Sequence, residues 1–455
     1  MEMVLEFLRD VLSQPALLIG IMSCVGLIAL KRPFHKVMTG TLKPILGYLM
    51  LAAGAGVIVN NLDPLGKMIE HGFHITGVVP NNEAIVAVAQ KVLGVETMSI
   101  LVVGLLMNLC IARFTKFKYV FLTGHHSLFM ACLMSAVLGT AGLSGMELIL
   151  VGGFLMGAWS AISPAIGQSY TSKVTDGDEI ALGHFGSLGY YLSAWVAKYV
   201  GKADDSTEDI EIPEKWGFLR DSTLSTALTM IVFYLIAALA AGSEFVATLS
   251  GSMSPYLFAV MSAMNFAVGV AIVYSGVRMI LGDLIPAFQG IATKIIPNAI
   301  PAVDCAVFFT YAPTAVVLGF ISSFIGGIIG MLILGAVGGV LIIPGLVPHF
   351  FCGATAGIYG NATGGRRGAA VGAFLNGLAI TFLPALALPV LGQLGFQNTT
   401  FGDADFAVMG LVLGHAFEWI GMAGIYGIVA IAALVLIIPN FIKTKGKVIN
   451  YVEEE

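Results

Sequence analysis

Histidines and one aspartate stand where long apolar runs of this chain are broken by glycine or proline. His125 with His126, His184, and Asp304 each lie close to such a break. Glycine and proline free backbone amides and carbonyls, and an acid within an apolar run is costly unless a partner or ligand matches it. Histidine can donate and accept hydrogen bonds, and aspartate accepts strongly, so these side chains could hold a polyhydroxylated ligand.

Each of these residues also has a plainer interpretation. His125 could cap a helix at a membrane interface, and His126, its neighbour, would point elsewhere on a helix in a structural role. His184 could belong to a surface loop. Asp304 could be a structural acid paired with a histidine or lysine. We keep all four as candidate ligand-binding residues, and Asp304 is a functional candidate by default because an acid within a span is costly without a partner or ligand.

The elements that must position these side chains are membrane-spanning helices. The composition is 57% hydrophobic and 11% charged, whereas soluble globular domains carry about 25% charged residues. About eleven apolar runs are long enough, or nearly so, to cross a hydrocarbon layer of roughly 30 Å as helices. They lie at 17–30, 45–59, 98–112, 120–137, 148–166, 226–241, 257–280, 303–321, 325–343, 369–390 and 422–441. The sequence therefore predicts an all-α integral membrane protein of about eleven transmembrane helices with re-entrant hairpins.

The charges of the connectors predict the orientation of these spans. Alternate connectors are basic, and those between them are neutral or acidic, as at Asp403 with Asp405. By the positive-inside rule the basic connectors face the cytoplasm. The N-terminus is then outside and the C-terminus inside, which requires an odd number of spans. The basic connectors carry Lys31, Arg32 and Lys36; Arg113, Lys116 and Lys118; Arg366 and Arg367; and Lys443, Lys445 and Lys447.

A weak internal repeat suggests how the spans are organised. The string 40–44, Gly-Thr-Leu-Lys-Pro, resembles 282–286, Gly-Asp-Leu-Ile-Pro. We predict a single polytopic domain over 1–455, with a first repeat at 1–167 and a second at 226–455. The polar stretch 168–225 between them is predicted to be a cytoplasmic loop that includes an interfacial or re-entrant segment. An odd number of spans per repeat would invert one half relative to the other, a common plan for transporters with a midplane site.

Several classes of function are excluded or disfavoured. The net charge of −5 gives no reason to expect nucleic acid as a partner. The five cysteines form no CxxC pair, and no HExxH motif, GxGxxG motif or P-loop occurs, so we expect no metal, no cofactor and no nucleotide hydrolysis. An acidic start before the first apolar run argues against a cleaved signal peptide.

The same breaks carry a family resemblance. The chain resembles the ascorbate-specific EIIC permease of the bacterial phosphotransferase system over nearly its whole length, in the order and spacing of short motifs. These motifs are Leu122-Thr-Gly-His125, Lys173-Val-Thr-Asp-Gly177, Gly183-His184, Ala302-Val-Asp304-Cys305, Tyr311-Ala-Pro313, Leu341-Ile-Ile-Pro-Gly345 and Gly364-Gly365.

The resemblance implies a transport subunit rather than an enzyme. It implies a homodimer in the bacterial inner membrane, in which a core domain holding the sugar moves against a scaffold domain. Separate EIIA and EIIB proteins would carry the phosphoryl group, and EIIB would phosphorylate the sugar at the cytosolic side.

The resemblance also implies ligand contacts at eight positions, of which three match the family in residue type. His125, His184 and Asp304 are the matches. A glutamine is expected where Phe129 and Phe185 stand, and Thr-Tyr is expected where Asn82-Glu83 stands; the eighth position is Gly54. These departures leave the transport class intact and leave the sugar open: ascorbate, or a related sugar acid or polyol.

Two other classes of function remain open at this point. A proton- or sodium-coupled secondary transporter could relay protons through Asp304 and the histidines. An intramembrane enzyme could use the same residues as acid and base, although no motif pairs a nucleophile with a neighbouring base.

Overall fold

The computed structural model describes residues 10–441, except 12–13, 75–76, 79, 81, 211–221 and 393–399. Within this part the fold is built of helices with three very short strands. The helices are α1 (Pro15–Ala29), α2 (Phe34–Phe73), α3 (Asn82–Phe114), α4 (Gly124–Thr140), α5 (Gly145–Thr175), α6 (Ser187–Val200), α7 (Ser222–Ala241), α8 (Ser243–Ser250), α9 (Pro255–Lys294), α10 (Pro313–Ala336), α11 (Leu346–Gly392), α12 (Ala404–Ile420) and α13 (Met422–Phe441). The strands are β1 (Tyr119–Phe121), β2 (Ala181–Leu182) and β3 (Ile300–Val303), and 3-10 turns lie at Thr207–Asp209 and Cys305–Thr310.

The helices confirm the predicted all-α membrane protein. Among the described residues, seven are long and apolar enough to cross a bilayer, or eight if α7 and α8, which meet at a bend of 117°, form one span. The predicted total of about eleven stays a prediction. The boundary predicted between the runs 303–321 and 325–343 is wrong, because α10 runs through it from Pro313 to Ala336.

The strands, which the sequence did not predict, lie in or beside three of the predicted breaks. β1 takes the start of the run predicted at 120–137, so the helix there begins only at Gly124. β3 lies between β1 and β2 in one parallel three-stranded sheet. Tyr119 pairs with Ile300, and Ala181 pairs with Ala302. The strands bond each other's backbone groups, which would otherwise be left unpaired at membrane depth. The sheet thus makes three interruptions of the apolar runs tolerable at one place.

A second set of segments meets in a similar way. Val78 forms a parallel bridge with Ile342, and Pro80 forms one with Thr400. The Val78 amide donates to the Leu341 carbonyl, and the Ile343 amide donates to the Val78 carbonyl, each at 2.9 Å. Each of these bridge segments leads into a helix: α11 follows 342, α3 follows 80, and α12 follows 400.

The order of elements in the two halves of the chain corresponds. α2 and α9 are both 40 residues long. α2 is followed by the bridge residues Val78 and Pro80, and α9 is followed by strand β3; each forms the central member of three segments that pair side by side. Each central member pairs with segments from the other half of the chain. Pro44 lies near the start of α2 but Pro286 near the end of α9, so the strings 40–44 and 282–286 are not equivalent; Pro64 is the counterpart of Pro286.

The predicted loop 168–225 is largely ordered structure where it is described. Gln168 is 1% exposed and continues α5, and α6 packs against α11. Segment 201–210 covers a kink in α11 at Gly365, where φ is 61°. Arg366 donates there to the carbonyls of Ser206 and Asp209. Residues 168–175 therefore belong to α5 rather than to a loop, and α6 is a helix where an interfacial or re-entrant segment was predicted. Its place relative to the membrane and the division into repeats stay predictions.

Candidate functional site

The three strands deliver the candidate residues to one place. β1 leads into α4 with His125 and His126, β2 leads to His184, and β3 leads to Asp304. Parallel strands end at the same edge of a sheet, so their following residues converge there. Gly183 makes the close approach possible: its amide donates to the Val303 carbonyl at 2.7 Å, and a Cβ on it would clash with the Ala302 carbonyl. We call His125, His126, His184 and Asp304 the sheet cluster.

Asp304 is a buried acid with an orienting bond and a histidine neighbour. It is 7% exposed, and its Oδ1 accepts from the Ala306 amide at 3.1 Å, which caps the 3-10 turn. Its Oδ2 lies 3.5 Å from Nε2 of His125, whose Nδ1 lies 3.4 Å from the Tyr48 hydroxyl. With Nε2–H toward the acid, Nδ1 accepts from the tyrosine. One carboxylate oxygen is thus held by backbone, and the other faces a weak donor that a ligand hydroxyl can displace.

His126 and His184 have their proton positions set by backbone donors. The Phe185 amide donates to Nδ1 of His126 at 3.3 Å, and the Gly186 amide donates to Nδ1 of His184 at 3.1 Å. The Tyr190 hydroxyl also lies 2.9 Å from Nδ1 of His184. A ring nitrogen that accepts carries no proton, so in the neutral rings the proton is on Nε2. Each ring therefore offers one N–H donor to an oxygen of a ligand.

The same bonds decide whether a metal fits. Among the residues that the structure describes, two groups of buried donors have ligand atoms within 4.8 Å of one another: His126, His184 and Asp403, and His184, Asp304 and Cys305. A neutral histidine that binds a metal keeps its proton on the other nitrogen, where it donates to an acceptor. In His126 and His184, Nδ1 accepts a backbone N–H, so it neither offers a free lone pair to a metal nor carries the proton that metal binding through Nε2 would require. This donor set does not suit a metal ion and suits a ligand rich in oxygen.

Asp403 lines the same cavity, although its sequence context predicted an acidic connector. It is 5% exposed; its Oδ2 accepts from Asn82 at 2.7 Å and its Oδ1 from the Cys352 thiol at 3.0 Å. Asn82 Oδ1 accepts from the Gly402 amide at 2.9 Å. We call Asn82, Cys352 and Asp403 the bridge cluster, since the bridge segments lead to them. The detectable signal was an acid immediately before an apolar helix, where the helix N-terminus favours negative charge.

Asp405 was placed in the same connector and is also buried, with a different role. It is fully buried, and its carboxylate accepts from Ser187 at 2.7 Å, from the Leu188 amide at 2.9 Å and from Trp159 at 3.1 Å. These bonds tie the start of α12 to the start of α6. Asp405 positions the helix that follows His184 and does not line the cavity.

The two clusters line one large cavity of about 1260 Å³. Of the nine predicted ligand-binding residues, six line it: Asn82, His125, His126, Phe129, His184 and Asp304. Phe185 does not, because it is fully buried and stacks on Phe121 at 4.6 Å between ring centroids. Gly54 does not either: it lies at the crossing of α2 and α9, where a Cβ would be 2.7 Å from the Gly269 carbonyl. The side chain of Glu83 lies outside the described residues.

Comparison with known proteins agrees with this architecture. A curated relative, the "Ascorbate-specific PTS system EIIC component" of Mycoplasma pneumoniae (strain ATCC 29342 / M129 / Subtype 1), is 27% identical over 417 residues. The match covers 78% of this chain and 62% of the relative, so the chain spans less than two thirds of that protein. The family model EIIC-GAT, described as "PTS system sugar-specific permease component", matches residues 10–405. With most of its length matched, the chain belongs to this family of multi-pass sugar permease components of the phosphotransferase system.

Proposed function

We propose that this chain binds L-ascorbate, or a related sugar acid or polyol, in the described cavity and carries it across the membrane for phosphorylation. The observation that carries the proposal is the convergence of His125, His184 and Asp304 on one cavity at the ends of three parallel strands. These groups combine donors and acceptors, as a ligand with many hydroxyls requires. The name of the Mycoplasma relative supports ascorbate as the first ligand to test.

The phosphoryl group would come from separate proteins. EIIA and EIIB would pass it on, and the sugar would be released to the cytosolic side as its phosphate. The chain itself would be a transport subunit of a homodimer in the bacterial inner membrane, with its N-terminus outside and its C-terminus in the cytoplasm. The basic connectors support this orientation.

The basic connectors also differ in what they can offer to EIIB. Arg366 is engaged by segment 201–210, through Ser206 and Asp209. The Lys118 ammonium donates to the Ala112 carbonyl at 3.0 Å, and its burial lowers the pKa of that group. Arg367 is exposed beside Arg366. We therefore favour Arg367 over Arg366 and Lys118 as a contact for the phosphorylated partner.

The first experiment is a binding screen of the purified protein by calorimetry, with L-ascorbate, D-mannitol and D-sorbitol as probes. We expect saturable binding of at least one probe. Uptake in vesicles should then require EIIA and EIIB and should persist when an uncoupler removes the proton gradient. Uptake that survives without EIIB and collapses with the uncoupler would instead establish a proton-coupled transporter. Absence of binding by all three probes would contradict the proposed ligand class.

A further inference from the structure

We propose that Asp403, held by Asn82 and Cys352, is a further ligand-binding residue and that it sets the specificity of the cavity. It would accept hydroxyl donors from the ligand and disfavour a negatively charged group at the same point. This inference rests on the proposed function, since it concerns the same cavity.

The first support is the internal correspondence of the two halves. Asp304 follows the central strand β3, and Asn82 follows the central segment 78–80. His184 follows the flanking strand β2 and precedes α6, and Asp403 follows the flanking bridge at 400 and precedes α12. Asn82 and Asp403 thus occupy the positions that Asp304 and His184 occupy in the sheet cluster. The fold delivers a second pair of polar residues to the cavity.

The second support is the direction of the Asp403 side chain. Asp403 is the N-cap residue of α12, where a carboxylate usually accepts from its own helix, yet it makes no such bond. It lines the cavity instead and bonds Asn82 and Cys352 from other parts of the chain. Each carboxylate oxygen can accept two hydrogen bonds. One acceptor site on each oxygen therefore remains for a ligand hydroxyl.

The third support is the charge around this carboxylate. His184 Nδ1 lies 3.7 Å from Asp403 Oδ1, but that nitrogen already accepts from the Gly186 amide and so cannot donate to the acid. Lys67, which also lines the cavity, pairs with Asp63 at 2.8 Å. Asp403 therefore keeps the character of an acceptor. Hydroxyls satisfy such a group, whereas a buried anion beside it is repelled.

The test measures dissociation constants of L-ascorbate, D-mannitol and D-sorbitol for the intact protein by calorimetry. We expect Asp403→Asn to weaken neutral hexitols about tenfold, as expected for loss of a charge-assisted hydrogen bond. It should weaken ascorbate less, so the ratio of hexitol to ascorbate affinity falls. Asn82→Ala removes the amide that donates to the Asp403 carboxylate, and it should lower the same affinity ratio by a smaller factor.

Asp283→Asn is the matched control. Asp283 pairs with Lys43 at 3.7 Å and does not line the cavity, so its loss should leave every dissociation constant and the affinity ratio unchanged. The inference is overturned if Asp403→Asn leaves every dissociation constant unchanged while Asp304→Asn loses binding; the proposed function would then stand. It is also overturned if Asp283→Asn changes the ratio as Asp403→Asn does. If the wild-type protein binds none of the probes, both the proposed function and this inference fail.

Discussion

The sheet cluster and the bridge cluster are equivalent in position and unequal in construction. Strand β3 is paired on both sides over successive residues, whereas 78–80 is joined by two isolated bridges, one of them at Pro80. Proline has no amide proton, so Pro80 cannot donate to its neighbour. The better-bonded sheet presents three histidines and an acid, and the bridge segments present an amide, a thiol and an acid. We therefore propose that the better-bonded sheet cluster makes the contacts common to all ligands and that the less bonded bridge cluster selects among them.

Replacing the acid of the sheet cluster by its neutral amide is expected to have the largest effect on ligand affinity. Asp304→Asn removes the charged acceptor beside His125, and a hydrogen bond to a charged group contributes about 1.5–3 kcal/mol. We expect ligand affinity to fall by one to two orders of magnitude or below detection, measured by calorimetry. Asp283→Asn is the control, because Asp283 pairs with Lys43 at 3.7 Å and does not line the cavity. Unchanged binding in Asp304→Asn would place the site elsewhere.

A smaller effect is expected from crowding each set of segments with one methyl group. In Gly183→Ala the new Cβ clashes with the Ala302 carbonyl, and in Gly77→Ala it lies 2.6 Å from the Leu341 carbonyl. Overpacking of this kind costs about 1–3 kcal/mol. Both variants should have a lower melting temperature. Gly183→Ala should also weaken ligand binding about tenfold, because it displaces His184. Equal losses of ligand affinity in the two variants would contradict the proposed difference between the two clusters.

A substitution in the cavity wall is expected to increase ligand affinity. Phe129 lines the cavity where the family resemblance implies glutamine. Phe129→Gln adds an amide, and one hydrogen bond contributes about 0.5–1.5 kcal/mol. Ascorbate affinity should rise a few-fold, measured by calorimetry.

Phe185→Gln is the counterpart, since Phe185 is fully buried. There the amide would lack partners, so the melting temperature should fall with no gain in affinity. A gain at position 185 would mean that Phe185 faces the ligand during transport.

The smallest effect on stability and binding is expected for a substitution at Glu208, which belongs to neither cluster. The Glu208 carboxylate accepts from the amides of Thr314, at 3.0 Å, and Ala315, at 3.1 Å, at the start of α10. A negative charge at a helix N-terminus contributes about 0.3–1 kcal/mol. Glu208→Gln should lower the melting temperature slightly and leave all dissociation constants unchanged. A large loss of binding would show that segment 201–210 forms part of the pocket.

Much of the fold, and three polar residues that line the cavity, could be predicted from the sequence. The apolar runs and the charged connectors predict which segments cross the bilayer and in which direction. An acid within an apolar run, such as Asp304, is costly enough to indicate a functional site. The sheet could not be predicted, because strands of two to four residues carry no periodicity. Asp403 and Asp405 were missed because a connector acid and a buried acid look alike in sequence. Their burial depends on helices from the other half of the chain.

The exchange of strands between the two halves also constrains how the protein is made. β1 and β2 emerge from the ribosome long before β3, and residue 78 emerges long before residues 342 and 400. Until then their backbone groups lack partners, and each unpaired group in hydrocarbon costs several kcal/mol. Neither cluster can therefore be completed while the first half alone is in the membrane. A chain truncated before residue 300 would present unpaired segments to the insertion and quality-control machinery, whatever the hydrophobicity of its helices.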